Sequence, residues 1–540
     1  MATCGEVLVE ILQNYGIDTI FGIPGVHTVE LYRGLNRTNI RHVTPRHEQG
    51  AGFMADGYAR ASGKVAACFI ISGPGMTNIA TAMGQALADS IPMLVISSVN
   101  HSYQLGLGEG RLHEMPSQRN LVNGVARFSH TLLRVDELPK VLARAFTVFN
   151  SERPGPVHIE IPIDVITSQA DHIDKTAFVL PSAPGPSVHA IQRCVELLSR
   201  AKNPLIAIGG GAVGASVELL ALAENLDAPV INTVNAKGIL PFSHALAVGG
   251  SGSCPGIREE LHNADVVLAI GTEFGETDYD FFFSGDVKIA GTLIRIDIDA
   301  VQLTRNIKAD LSICSDAKFA LAAINTLLPE KLKHRRDNDI SAGAARADLM
   351  RQQIASGRDG AYESFFAALR SALPELVVVG DSTQPVYYAW IHYETEHARR
   401  YFHSASGFGT LGYAIPAATG AKLAKPELPV VAIIGDGAAQ FSIGELASAV
   451  EAKVAVIFLI WNNNGYGEIK RFMADADIPQ IGVDIYTPDF VGIGKAFGCH
   501  SLRVCNLRDL KEALLIANSQ ELPTVIEIVQ EDFADGYPQL

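Results

Sequence analysis

Residues 435–467, GDGAAQFSIGELASAVEAKVAVIFLIWNNNGYG, decide the fold. They follow VVAII (430–434), a β-branched run that reads as a buried parallel strand. Gly435-Asp436-Gly437 predicts a tight turn, and FSIGELASAVEA a helix with Phe441, Leu446 and Val450 as its apolar contacts. VAVIFLIW is a second buried strand, which Asn462-Asn463-Asn464-Gly465 ends. Asp436 and Asn463 therefore stand at the carboxyl ends of two strands of one βαβ unit, where open α/β sheets bind ligands.

The chemistry offered there is hard oxygen. Asp436 brings a carboxylate, Asn463 an amide oxygen, and the chain near Gly465 a carbonyl. With phosphate oxygens and water, that set suits octahedral Mg²⁺. The small residues Gly437 and Ala438 let backbone N–H groups approach a diphosphate. A lone Gly-Asp-Gly fits any strand–turn–helix. The discriminating feature is its pairing with Asn463, 27 residues after Asp436, across strand–helix–strand.

The 540 residues allow three or four domains. With 48% hydrophobic and 19% charged residues the composition is that of a globular protein with large cores. A net charge of −15 argues against nucleic acid or an anionic membrane as partner, and is compatible with a cationic substrate. Seven scattered cysteines without a CxxC pair suggest reduced thiols. MATCGEVLVEILQNYG has no basic region followed by an apolar core, and no apolar run reaches membrane-spanning length, so the expected location is the cytoplasm.

The GDG…NN pair resembles the thiamine diphosphate signature, and the whole chain resembles the acetolactate synthase and 2-oxo acid decarboxylase superfamily. LGLGEGRLHEMPSQR (105–119), GDSTQPVYYAW (380–390) and IGVDIYTPDF (481–490) look most like the branch acting on 5-guanidino-2-oxopentanoate, or 2-ketoarginine. The resemblance implies α/β architecture in three doubly wound parallel-sheet domains: pyrimidine-binding, middle and diphosphate-binding. It also implies thiamine diphosphate and Mg²⁺ as cofactors. Active sites would lie between subunits of a homodimer or homotetramer. The expected domains are residues 1–170, 187–328 and 355–540. Their linkers would be DHIDKTAFVLPSAPGPS (171–187) and LPEKLKHRRDNDISAG (328–343), which also fits the exposed end of a helix.

In the first domain, RHEQGAGFMADGYAR (46–60) puts Glu48 after a strand, at the start of a helix rich in small residues. By resemblance, Glu48 bonds a ring nitrogen of the cofactor's aminopyrimidine. From the residue alone it also fits a carboxylate complementing a helix dipole. In ISGPGMTNIATAMGQALADSIPM (71–93), Gly73 and Gly75 suit a tight turn and Thr77-Asn78 a helix start. Ile71 stands where benzoylformate-type decarboxylases carry a histidine, and the His-His pair of pyruvate-type decarboxylases is absent. His113-Glu114 is the nearest local substitute for their proton relay; His113 equally fits a satisfied loop histidine.

In the middle domain, Gly209, Gly211 and Gly214 have GxGxxG spacing, a dinucleotide fingerprint. The acidic residue expected after the next strand is missing from APVINTVNA, so the glycines read as tight turns. GTEFGETDYD lacks the basic residues that flank FAD in acetolactate synthases, which argues against FAD.

In the last domain, Ser382, Thr383 and Gln384 match diphosphate-binding positions. Gly409 would accept a bond from the cofactor's amino group, and Leu411 would wedge under the cofactor. Gly465 and Tyr466 complete the cofactor loop. Phe472 falls where acetolactate synthases have a tryptophan. Glu468 replaces an apolar residue facing the substrate, where it would suit a guanidinium; it also fits a surface pair with Arg471 or Lys470. Asp484 and Asp489 are weaker candidates for the same contact. The expected reaction is decarboxylation of a 2-oxo acid to an aldehyde. The alternatives are acetolactate synthase-type carboligation, a dinucleotide-dependent oxidoreductase built on GGGAVG, and a non-catalytic cofactor-binding paralogue. Intact Glu48, Asp436 and Asn463 argue against the last.

Overall fold

The computed structural model describes residues 1–333 and 342–533. Of the 328–343 linker, 328–332 continue the helix Ala317–Leu332, and 334–341 lie outside the described residues. The chain divides into two compact units. One comprises Met1–Pro181, Ala368–Gln384 and His403–Leu540; the other comprises Ser182–Ala367 and Pro385–Phe402.

The first unit holds two six-stranded sheets. One is built from β1 (Thr19–Gly22), β2 (Arg41–Val43), β3 (Ala66–Ile70), β4 (Met93–Val99), β5 (Phe128–Thr131) and β6 (Pro156–Pro162), in the order β2-β1-β3-β4-β6-β5. Its pairings are all parallel. β3, β4 and β6 are buried along their whole length; β3 (AACFI) is accordingly an unbroken apolar run, while β4 and β6 also bury Ser97, Ser98, His158 and Glu160. After β1 the chain winds one way to β2, and from β3 the other way to β4. The switch point between β1 and β3 is thus the crevice where a doubly wound sheet takes its ligand.

In the second unit, β7 (Pro204–Ile208), β8 (Val230–Asn232), β9 (Val266–Ile270), β10 (Thr292–Asp297) and β11 (Leu311–Cys314) form a parallel sheet ordered β11-β10-β9-β7-β8. Its switch point lies between β7 and β9, where the GxGxxG glycines sit. A Cβ on Gly209 would stand 2.2 Å from the Gly271 carbonyl oxygen, and one on Gly211 2.8 Å from the Gly271 Cα. The Gly209 and Gly211 N–H groups donate to Ile270 and Gly271 carbonyls at 2.9 and 3.1 Å. These glycines let two strand-end loops touch, and two of the N–H groups a pyrophosphate would use are spent on that contact. In the same unit, the buried Lys237 ammonium pairs with Glu394, which also accepts from the Gly250 N–H at 2.9 Å.

The third sheet, in the first unit except for Tyr401 and Phe402 of β13, runs β13-β12-β14-β15-β17-β16, with β12 (Val377–Gly380), β13 (Tyr401–His403), β14 (Val430–Gly435), β15 (Val456–Asn462), β16 (His500–Val504) and β17 (Thr524–Val529). β12, β14, β15, β17 and β16 pair in parallel. The switch point falls between β12 and β14, so residues 381–384 and 436–438 meet there. The predicted turn at Gly435 is instead a strand running straight into the helix Asp436–Ser442. The helix predicted over 441–452 is broken, resuming as Glu445–Glu451. The break leaves Phe441 58% exposed rather than in the core, against the Gly412 edge.

Two helices hold the first and third sheets together, Glu48–Ser62 and Ala414–Ala424. Small residues let them cross at backbone contact: a Cβ on Gly57 would stand 2.0 Å from the Ala417 carbonyl oxygen, and one on Gly420 1.9 Å from that of Met54. Beside the crossing, Arg60 bridges Asp56 and Asp89 at 2.6 Å each, and the Tyr413 hydroxyl donates to Asp56 at 2.5 Å; Arg60, Asp56 and Tyr413 are buried and Asp89 is half-buried. Removing one member of such a pair costs about 3–5 kcal/mol, because the other charge stays buried without it. No helix among the described residues is long and apolar enough to cross a membrane. All seven cysteines are free thiols.

Candidate active site

At the switch point of the third sheet, three oxygens converge. Asn463 Oδ1 stands 2.9 Å from the Gly465 carbonyl oxygen and 3.0 Å from Asp436 Oδ1. Turned over, the amide would bridge the two by donating N–H bonds. As placed, its nitrogen reaches Gln384 Oε1 at 3.4 Å and its oxygen completes a face of three acceptors. In that orientation the three acceptors present a face that suits a cation. Adjacent oxygens on an octahedral Mg²⁺, each about 2.0–2.1 Å from the metal, lie about 2.9 Å apart. The donor set therefore fits the ion that its chemistry suggested. The carbonyl is aimed there by positive φ at Asn464 (60°) and Gly465 (151°). A side chain at 465 would run into the Val483 carbonyl, 2.3 Å from a built Cβ.

Asp436 is fully buried, and burial raises its pKa against the bonds that lower it. The first of those bonds comes from the Thr487 hydroxyl, which donates to Oδ2 at 3.0 Å. Oδ1 is left to face Asn463 and Gly465. Thr487 belongs to a strap, residues 483–487, that runs beside the site. Tyr466 N–H donates to Val483 O at 2.9 Å, Gly465 and Asp484 form an antiparallel bridge, and Gln440 donates to Tyr486 O at 3.3 Å. Tyr466 and Ile485 close over Gly437, whose built Cβ would lie 2.6 and 3.4 Å from them.

Ser382, Thr383 and Gln384 line the opposite wall. Thr383 and Gln384 are buried, and Thr383 Oγ1 stands 3.1 Å from a Cβ built on Gly435. Asp381, just before them, is fully buried and accepts from the N–H groups of Gly412 and Ala414 at 3.3 and 2.9 Å. It thereby pins the loop that carries Gly409 (φ 70°) and half-buried Leu411. Burial pushes the Asp381 carboxyl up to about 6. Ala438 is buried at the start of the helix.

Glu48 lies at the other switch point. It is the first residue of its helix, behind the N-cap His47. Glu48 Oε2 accepts from Asn78 Nδ2 at 2.9 Å, and Oε1 comes within 3.3 Å of a Cβ built on Gly75. The helix bearing Gly75 and Asn78 begins at Pro74, earlier than the expected start at Thr77; Gly73 (φ 65°) makes the turn. Glu445, which the sequence did not single out, fixes the approach to Glu48: its buried carboxylate accepts from the N–H groups of Arg46 and His47 at 3.0 Å.

His113 has φ 59° and a half-buried ring. That ring stacks on His27, which is 5% exposed and equally unflagged by the sequence, with centroids 5.2 Å apart. Glu114 lies in the loop and accepts from the N–H groups of Gly108 and Arg111 at 2.7 and 2.9 Å; these bonds, Arg111's foremost, hold its carboxyl below the usual range. Glu468 is on the helix Gly467–Asp475, paired with Arg471 one turn on; Phe472 is 50% exposed. Asp484 pairs with Lys470 at 2.6 Å, and Asp489 caps the next helix by position.

The chain matches three family models in order: thiamine pyrophosphate enzyme, N-terminal TPP binding domain, over residues 2–121; the central domain over 191–324; and the C-terminal TPP binding domain over 381–528. It belongs to the thiamine pyrophosphate enzyme family. It is 42% identical to a probable 2-ketoarginine decarboxylase of Pseudomonas aeruginosa, over 97% of this chain and 94% of that one. It is 30% identical to the acetolactate synthase large subunit of Corynebacterium glutamicum, over 100% and 88% of the two chains. To acetolactate synthase isozyme 3 large subunit of Escherichia coli it is 29% identical, over 96% and 93%.

Proposed function

We propose that this enzyme uses thiamine diphosphate and Mg²⁺ to decarboxylate a 2-oxo acid without oxidation, converting 5-guanidino-2-oxopentanoate to 4-guanidinobutanal and carbon dioxide. The observation that carries the cofactor reading is the convergence of Asp436, Asn463 and Gly465 oxygens at the switch point. The substrate reading rests on the 42% identity to the probable 2-ketoarginine decarboxylase, against 29–30% to the synthases. Bound, thiamine diphosphate supplies the nucleophilic carbon and the electron sink. Asp436, Asn463 and the Gly465 carbonyl would hold Mg²⁺, with Ser382, Thr383, Gln384, Gly437 and Ala438 around the diphosphate. Gly409 and Leu411 would position the rings, and Glu48 would share a proton with the aminopyrimidine. Within one chain, Glu48 has Asn78 and Gly75 as neighbours and Asp436 has Thr487 and Asn463. With Glu48 in the first domain and Asp436 in the last, the reading includes a homodimer or homotetramer, working in the cytoplasm, whose sites join these parts between copies.

Thr487 is expected to matter through Asp436 alone. Outer-sphere partners of metal ligands are worth about 10–100-fold in metal affinity. Thr487→Val, titrated by calorimetry with Mg²⁺ at fixed thiamine diphosphate, should lose about tenfold in affinity, and Thr487→Ser should recover it. Equal affinities in all three proteins would remove Thr487 from the metal's support.

A panel of 2-oxo acids, scored for aldehyde, tests the substrate. The guanidino acid should give the highest kcat/KM. Glu468 and Phe472 are the proposed substrate contacts. Glu468 already holds Arg471 and its side chain is 35% exposed, so its share in choosing a cation is that of a solvent-screened pair, about 1 kcal/mol or less. Glu468→Gln should therefore lower kcat/KM for the guanidino acid about fivefold and leave an apolar acid unchanged. Equal changes for both substrates would take Glu468 out of the site.

A further inference from the structure

We propose that His27 and His113 act together as the proton donor that makes this enzyme a decarboxylase, an inference that rests on the function proposed above. The two rings stack with centroids 5.2 Å apart and planes inclined by 30°. Nδ1 of each is buried without a hydrogen-bond partner among the described residues. Both come from the ligand crevice of the first sheet. His27 sits in the loop after β1, a turn closed by Thr28, whose N–H and hydroxyl both donate to Gly25 O, at 2.8 and 3.1 Å. A Cβ on Gly25 would strike Ile71 Cδ1, so this turn lies against the end of β3. His113 is pressed onto the same end: a Cβ on Gly73 would stand 2.8 Å from its carbonyl oxygen. Gln118, itself buried, accepts from the Gly73 N–H at 3.0 Å and fixes that turn. Two residues beyond Gly73, Gly75 borders Glu48. The pair thus adjoins the carboxylate assigned to the aminopyrimidine, at the end of the cofactor where the chemistry occurs.

Two imidazoles this close disfavour a second charge once one is protonated, because like charges repel. Burial, then His113 and His101, lower the proton affinity of His27. The acidic groups around this crevice are Glu48, across the Gly75 turn, Glu114, which follows His113 and accepts from the N–H groups of Gly108 and Arg111, and Glu160, which accepts from Gln118 at 3.1 Å. An imidazolium whose charged form is disfavoured by burial gives up its N–H proton readily, which suits general acid catalysis, and the partnerless Nδ1 atoms of both rings are available for that transfer. The reaction needs such an acid. A 2-oxo acid anion takes up one proton to become an aldehyde and carbon dioxide. The bond from the keto carbon to the carboxylate breaks, and a C–H bond forms at that carbon. The N–H bond of the imidazolium breaks, its electron pair stays on nitrogen, and water returns the proton. Carboligation forms a C–C bond at the same carbon and needs no proton there.

The test combines turnover with titration. His27→Gln and His113→Gln should each lower aldehyde formation about 100-fold or more, with thiamine diphosphate affinity within about threefold of the parent. In the full-length chain labelled with ¹³C at histidine Cε1 and without added cofactor, His27 should titrate below 6.5 and shift upward in His113→Gln. Aldehyde formation within threefold of the parent in both variants, or a His27 titration unmoved by His113→Gln, would overturn the pair. If a variant loses cofactor binding, the parent's titration decides: two steps at least about one pH unit apart support coupling, and a common midpoint refutes it. A parent that binds cofactor yet makes no aldehyde from any 2-oxo acid would overturn the decarboxylase reading itself.

Discussion

Asp436→Ala should abolish Mg²⁺-dependent binding of thiamine diphosphate. Asp436 is the only charged member of the three-oxygen face, and without it two neutral oxygens must hold a divalent ion. Even an outer-sphere partner is worth about 10–100-fold in metal affinity, so loss of the charged ligand should exceed about 100-fold. Calorimetric titration of the apoenzyme with thiamine diphosphate, with and without Mg²⁺, gives the answer directly. The change removes a buried carboxylate whose pKa burial has raised, so the variant should fold at least as well as the parent. Melting without cofactor separates stability from binding. Unchanged cofactor affinity would refute the metal role.

Glu48→Gln should do the reverse, retaining cofactor and losing turnover. The amide is nearly isosteric and can still meet Asn78, but it cannot exchange a proton with a ring nitrogen. General acid–base groups contribute about 10²–10⁴-fold, and kcat should fall within that range with cofactor affinity little changed. If active sites join Glu48 of one copy to Asp436 of another, mixing Glu48→Gln with Asp436→Ala chains should restore part of the activity, since hybrids hold one intact site. Parental turnover in Glu48→Gln would contradict its assignment.

The parts of this site that depend on local chain geometry were legible in the sequence. β-branched runs such as VVAII and VAVIFLIW are buried on both faces, so their composition alone marks them as strands. Asp436 and Asn463 follow such runs immediately, and strand ends fixed their place. Thr487 lies 51 residues beyond Asp436 in a strap with no periodicity, and nothing local ties its hydroxyl to a carboxylate. Glu445 looks like a surface helix residue, but bonds residues nearly 400 positions earlier. His27 follows a Gly-Pro-Gly turn and gains meaning only from the loop that brings His113 onto it. Phe441 went wrong for a different reason. Its apolar spacing assumed a continuous helix, and the break at Ile443-Gly444 turned it outward. Of the GxGxxG glycines, read as tight turns, Gly209 and Gly211 gain a purpose from the structure, the contact with Gly271.

The most direct test of decarboxylation is stoichiometry with 5-guanidino-2-oxopentanoate as sole substrate, counting carbon dioxide and 4-guanidinobutanal against acid consumed. A decarboxylase releases one carbon dioxide and one aldehyde for each acid. A carboligase releases one carbon dioxide for every two acids and no aldehyde. Matching amounts of all three, dependent on added thiamine diphosphate and Mg²⁺, are the expected result; half as much carbon dioxide as acid consumed, with a coupled product in place of the aldehyde, would contradict it.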